Sequence, residues 1–188
     1  MSTRKIVERK TRETTIRVEA SVGSGISHID TTVPFLDHMM TALARYSGLD
    51  LTIRARGDLR HHIVEDVALT VGQAVAALVP TGAARYGERT VPMDDALVQA
   101  VVDVGGRPFY RGPIPSTFFE HWMRSFCDAG KFTLHIRVLR GEDRHHVVEA
   151  AFKAMGFSLA QALADTGDML STKGSVALRT RAGRGRRR

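Results

Sequence analysis

The 188-residue chain contains one sequence pattern twice, and this duplication restricts its possible folds more than any other feature. Each copy has a Phe-x-x-His segment, an alternating apolar segment, a His-His-x-x-Glu motif and an apolar stretch that ends in glycine. The first histidine precedes the pair by 23 residues in one copy (His38 to His61) and 24 in the other (His121 to His145). The spacing from the pair to the glycine is identical. A repeat of this length predicts two structural units of the same type.

The periodicity within each copy predicts a mixture of strands and helices. Apolar residues alternate over 14–22, 51–56, 96–104 and 132–138, which is typical of strands with one buried face. The stretches 61–78 and 145–163 are rich in Ala, Val and Leu and favour helices, and apolar residues recur at helical spacing after His38 and His121. We therefore expect an α+β fold made of a duplicated β/α unit, with two sheets and helices packed on one face of each. The expected halves are 1–90 and 91–178.

The charge distribution argues against a nucleic-acid partner. The net charge is +7, but six arginines lie within the last ten residues, which leaves a net charge of only +1 on the rest of the chain. Residues 179–188 are therefore expected to form a basic disordered tail. With aromatic residues at only 6%, the body lacks the basic and aromatic surface that a nucleic-acid-binding module needs.

Membrane insertion and disulfide formation are not expected. No run approaches the roughly 18 apolar residues that cross a bilayer, and the polar N-terminus cannot serve as a signal peptide. Cys127 is the single cysteine, so no disulfide can form within the chain, which suits a reducing compartment. We expect a cytoplasmic protein.

The duplication also sorts the eight histidines. Six of them and two glutamates recur at matched positions: His38, His61, His62 and Glu65 in the first copy, and His121, His145, His146 and Glu149 in the second. His135 takes the place of Thr52 in the first copy, so we assign it to a strand face. His28 also lacks a counterpart and is expected in a loop or turn.

The eight matched groups predict a two-metal site. Imidazole and carboxylate together are common ligands of borderline divalent cations. Adjacent histidines on a helix point about 100° apart, so the members of each pair should bind different ions. The groups then divide into two sets of three histidines and one glutamate, and each set leaves coordination positions open for substrate or water.

The same residues resemble imidazoleglycerol-phosphate dehydratase. Seven collinear motifs carry this resemblance over roughly residues 4 to 178: 34–39, 61–66, 92–97, 106–109, 134–138, 145–153 and 171–174. The resemblance implies a fold like domain 2 of ribosomal protein S5. It also implies a homo-oligomer of 24 subunits with metal sites at subunit interfaces and two Mn²⁺ ions per active site.

The reaction implied by the resemblance is the dehydration of imidazole glycerol phosphate to imidazole acetol phosphate in histidine biosynthesis. Glu13 is then the candidate acid/base for proton transfer, and Glu149 is a second catalytic carboxylate as well as a metal ligand. The implied substrate and phosphate contacts are Arg85, Arg107, Lys153, Ser171, Thr172 and Lys173.

Two other functions remain open from the residues alone. A two-metal phosphoester hydrolase would predict a bridging carboxylate and an Asp-rich site, whereas this pattern is mostly histidine. A nucleic-acid-binding module is suggested by the arginine tail and the S5-like fold.

Overall fold

The computed structural model describes residues 4–167, and the first half of this range forms a four-stranded mixed sheet. Its strands are β1 (Lys5–Lys10), β2 (Thr14–Val22), β3 (Ser27–Asp30) and β4 (Leu49–Gly57), in the order β1-β2-β4-β3. The strand β2 is antiparallel to both β1 and β4, whereas β3 runs parallel to β4. One face of the sheet is apolar and buried, and the other carries ion pairs such as Arg56 with Asp30.

The second half repeats this arrangement strand for strand. Its strands are β5 (Tyr86–Met93), β6 (Ala96–Asp103), β7 (Phe109–Arg111) and β8 (Thr133–Arg140), in the order β5-β6-β8-β7. The pairing of β6 with β8 is irregular at one point, where the register shifts between Leu97 and Val98. The division expected between residues 90 and 91 falls inside β5, because the second sheet already begins at Tyr86.

The four helices of the described residues lie between the two sheets, two from each half. They are α1 (Pro34–Ser47), α2 (Arg60–Ala76), α3 (Thr117–Gly130) and α4 (Arg144–Ala162). Across the junction of the halves, α1 packs on α4 and α2 packs on α3. The predicted α+β duplication, with helices on one face of each sheet, is confirmed.

Paired helices run in the same direction, which gathers their N-terminal ends. Near the starts of α1 and α4, the ring centroids of Phe35 and His145 are 5.0 Å apart, and near their ends those of Tyr46 and Phe157 are also 5.0 Å apart. Since β4 and β8 deliver the chain to the starts of α2 and α4, all four helices begin at one end of the molecule. The motif histidines therefore share that end.

The expectation for His28 was wrong in one respect. His28 lies within β3, hydrogen-bonded in register with β4, rather than in a loop or turn. Its side chain is exposed on an edge strand, and a four-residue edge strand offers too little burial pattern to be recognised from sequence. Within residues 4–167, no helix is long and apolar enough to cross a membrane.

Candidate metal centre

The first ligand group joins the two halves of the chain. His38 projects from the second turn of α1, and His145 and Glu149 project from the first turns of α4. Nε2 of His38 is 3.0 Å from Oε2 of Glu149, and Nε2 of His145 is 3.1 Å from the same oxygen. The contact of α1 with α4 thus brings a histidine of the first copy to the motif of the second.

The second group is the counterpart of the first with the halves exchanged. His61 and Glu65 belong to α2, and His121 comes from α3. Nε2 of His61 is 3.7 Å from Oε2 of Glu65, and Nε2 of His121 is 3.6 Å from Oε1. Each group therefore contains two histidines and one glutamate, and each is assembled from both halves.

The donor geometry of both groups fits a divalent cation. The candidate ligand atoms within each group all lie within 4.8 Å of one another. Donors that bind one ion at about 2.0–2.2 Å lie about 3 to 4.4 Å from each other, depending on whether they are cis or trans. Small side-chain adjustments would therefore close either group around an ion.

His62 and His146 belong to neither group. Their rings are tilted 71° and 84° from those of His61 and His145, at centroid distances of 6.1 and 5.9 Å. Each of the two forms its close contacts with aspartates instead: Asp58 for His62, and Asp94 and Asp95 for His146. The helical period predicted that neighbouring rings point in different directions. It could not predict which histidines of the two copies contact each other.

The two groups differ in their electrostatics. The Glu149 side chain is only 8% exposed, whereas that of Glu65 is 37% exposed. Burial raises the pKa of the Glu149 carboxyl, but hydrogen bonds from Lys153 and His38 outweigh it, so that the pKa is lowered overall. Glu149 is therefore ionised and able to bind a cation. Nζ of Lys153 is 2.9 Å from Oε1 of Glu149, so within this chain the lysine contacts the first ligand group.

Glu13 lies beside the second histidine of the first pair. It occupies the turn between β1 and β2, and its Oε2 is 3.8 Å from Nδ1 of His62. The turn is anchored by the buried Asp66, which accepts a hydrogen bond from Arg9 at 2.8 Å and another from Thr14. Asp66 directly follows Glu65 in the motif, but nothing in the sequence pattern predicts this role for it.

The two arginines proposed as phosphate contacts lie at the opposite end of the molecule. Arg85 donates to both carboxylate oxygens of Asp103, at 2.8 and 3.0 Å, and has a left-handed backbone with φ of 74°. A depression of about 290 Å³ beside it is lined by the turn that precedes Arg107. The backbone N–H of Arg85 donates to Ala162 at the end of α4, roughly 25 Å along the helix from His145. Ser171, Thr172 and Lys173 lie outside the described residues, as does the expected tail.

The fold and the two ligand groups define a duplicated α+β protein with two candidate divalent-cation sites. The family described as imidazoleglycerol-phosphate dehydratase matches residues 31–159. A relative of that name from Desulforudis audaxviator is 44% identical over 172 residues, which cover 83% of this chain and 88% of the relative. The chain therefore belongs to the imidazoleglycerol-phosphate dehydratase family, whose members are hydro-lyases.

Solved structures agree with this assignment. The enzyme from Pyrococcus furiosus, determined in complex with (S)-C348, superposes with a TM-score of 0.83 at 37% identity and covers 90% of this chain and 100% of its own. Imidazoleglycerol-phosphate dehydratase from Staphylococcus aureus gives a TM-score of 0.79 at 32% identity, with coverage of 87% and 100%.

Proposed function

We propose that this protein catalyses the manganese-dependent dehydration of imidazole glycerol phosphate to imidazole acetol phosphate, in the cytoplasm. The observation that carries the proposal is the pair of matched groups, each with two histidines and one glutamate, in a chain of this family. Two bound Mn²⁺ ions per active site would act as Lewis acids toward the nitrogens of the substrate ring. The imidazoles and the ionised Glu149 supply the donors that such ions require.

Each complete site would combine residues of several subunits. Each group within the chain has one histidine fewer than the expected set of three histidines and one glutamate. His62 and His146 are directed elsewhere and are available to complete the groups of neighbouring copies. This supports metal sites at subunit interfaces, and we retain the 24-subunit assembly as part of the proposal.

The position of the arginines supports the same conclusion. Arg85 and the turn of Arg107 are separated from the metal groups of their own chain by the length of α4. One imidazole glycerol phosphate molecule is far too short to span that helix. A phosphate held by Arg85 and Arg107 would therefore belong to a substrate whose ring binds at the metal groups of another subunit. Their guanidinium groups suit phosphate because they can donate two hydrogen bonds in one plane.

Glu13 is the candidate for proton transfer at the substrate carbon. Its side chain is 56% exposed, so it can reach a ligand, and it adjoins His62. A carboxylate beside a metal-binding histidine would lie near the reacting atoms of a substrate bound through its ring. Its backbone is fixed by the Thr11 hydroxyl, which accepts from the N–H groups of both Glu13 and Thr14.

The test combines elemental analysis with an assay for dehydration of imidazole glycerol phosphate. We expect the purified protein to contain Mn²⁺ and to form imidazole acetol phosphate. Glu13→Gln should keep its metal and lose about 10²- to 10⁴-fold in kcat, the usual contribution of general acid–base catalysis. Glu8→Gln is the control and should retain full kcat. Glu8 is an exposed glutamate on β1 that pairs with Arg17.

Two results would contradict parts of this proposal. Absence of dehydration by the metal-loaded wild-type protein would exclude the activity itself. Full kcat in Glu13→Gln would leave the activity standing and remove Glu13 from the mechanism.

A further inference from the structure

The two histidines outside the ligand groups are each held by an aspartate at the same ring nitrogen. Nδ1 of His62 is 2.8 Å from Oδ1 of Asp58, and Nδ1 of His146 is 2.7 Å from Oδ1 of Asp95. These two rings are also less exposed than their neighbours, at 26% and 29% against about half for His61 and His145. These contacts hold both rings in place.

The contact determines which nitrogen can bind a cation. When Nδ1 carries the proton and donates it to a carboxylate, the lone pair of the neutral ring is on Nε2. A carboxylate in this position also orients the ring and increases its basicity as a ligand. Asp94 lies 3.4 Å from Nε2 of His146 with a side chain that is 71% exposed, so this contact is at the surface and can be released.

The two aspartates come from different parts of the fold. Asp58 lies four residues before His62, in the loop that leads to α2. Asp95 is 51 residues before His146, in the hairpin between β5 and β6, where its Oδ2 also accepts from the backbone of Glu142 and Asp143 at 2.6 and 3.1 Å. The two contacts therefore come from non-equivalent positions of the repeat.

The position equivalent to Asp95 in the first half is Glu13. Asp95 directly precedes β6, and Glu13 directly precedes β2, the matching strand. Both carboxylates face the second histidine of their half, but Asp95 approaches its Nδ1 to 2.7 Å whereas Glu13 stays at 3.8 Å. In the first half, Asp58 makes the close contact in place of Glu13.

We propose that Asp58 and Asp95 are positioning residues that hold His62 and His146 with Nε2 ready to bind a cation, and that Asp58 leaves Glu13 free of this role. The inference rests on the proposed function, since it takes His62 and His146 as ligands. It adds an explanation of why only one of the two equivalent carboxylates is available for proton transfer.

The test measures Mn²⁺ affinity of the full chain by competition with a fluorescent chelator, which requires no turnover. Asp58→Ala and Asp95→Ala should each weaken binding about 10- to 100-fold, the usual effect of removing the partner of a ligating histidine. Asp58→Asn and Asp95→Asn retain an oxygen acceptor and should weaken Mn²⁺ binding less. These two variants replace an alanine variant in the test if that variant folds poorly. Asp30→Ala, an exposed aspartate paired with Arg56, is the control and should bind as the wild type does.

A double-variant comparison separates positioning from a general structural role. Asp58→Ala should cause no further loss in a His62→Ala background, and Asp95→Ala none in a His146→Ala background. Wild-type Mn²⁺ affinity in the aspartate variants would overturn the inference. An equally large loss of affinity when the aspartate is removed in the His62→Ala or His146→Ala background would also overturn it. A wild-type protein that binds no Mn²⁺ would instead overturn the proposed function on which it rests.

Discussion

At the scale of single residues, His38 and His135 show how differently two histidines of one chain are used. His38 contacts Glu149 of the other half and completes a three-residue group, whereas His135 lies on the outer face of β8 against Phe109. His38→Ala should weaken Mn²⁺ binding more than about tenfold. Removing only the hydrogen-bond partner of a ligating histidine already weakens metal affinity by about that factor. His135→Ala is the matched control. Equal affinity of the two variants, measured by chelator competition, would contradict the assignment of His38.

At this scale the sequence predicts which residue types serve as ligands better than it predicts which residues contact each other. The duplication selects six histidines and sets His28 and His135 aside. The described structure places four of the six, His38, His61, His121 and His145, in cation-sized groups and leaves His62 and His146 outside them. The duplication could not show that His38 meets His145, because that contact depends on the packing of α1 against α4. The aspartate at His62 is four residues away and detectable from helical spacing, but the one at His146 is 51 residues away and is not.

At the scale of secondary structure elements, two matched glycines allow the halves to pack closely. A Cβ atom added at Gly72 of α2 would lie 2.5 Å from the carbonyl oxygen of Phe126 in α3, and one at Gly156 of α4 would lie 2.9 Å from Cβ of Tyr46 in α1. The first contact is with backbone and cannot be relieved by a side-chain rotation. These glycines therefore set the separation of the helices that carry the ligands.

Gly72→Ala should destabilise the protein by about 1–3 kcal/mol through overpacking, although alanine favours helix formation by up to about 1 kcal/mol. Gly156→Ala should act in the same direction. The exposed neighbour Gln73→Ala is the control and should change the free energy of unfolding by less than about 0.5 kcal/mol. The measurement is denaturant unfolding; a Gly72→Ala variant as stable as Gln73→Ala would refute the close approach.

The strands that sequence analysis predicted share one property. The four predicted segments correspond to β2, β4, β6 and β8, which are the central strands of the two sheets. The four strands it missed, β1, β3, β5 and β7, are all edge strands. Central strands bury a complete alternating face, whereas an edge strand such as β7 has only three residues and an exposed side, so its pattern is weak.

At the scale of the whole molecule, the predicted metal ligands and the arginines proposed as phosphate contacts lie far apart. All eight sequence-predicted metal ligands lie at the end where the helices begin, while Arg85 and Arg107 lie at the other. If neighbouring subunits share cations, removal of the metal should weaken assembly. Size-exclusion chromatography with light scattering should show a smaller particle after chelation and recovery of the larger one with Mn²⁺. An unchanged mass would indicate that the metals do not hold subunits together.

Anomalous diffraction data from crystals grown with Mn²⁺, collected near the manganese absorption edge, would locate the bound ions. We expect one anomalous peak among His38, His145 and Glu149 and another among His61, Glu65 and His121. His62 and His146 of neighbouring subunits should complete the two sites. Peaks elsewhere, or no peaks at the two groups in crystals of a protein that contains Mn²⁺, would contradict this assignment.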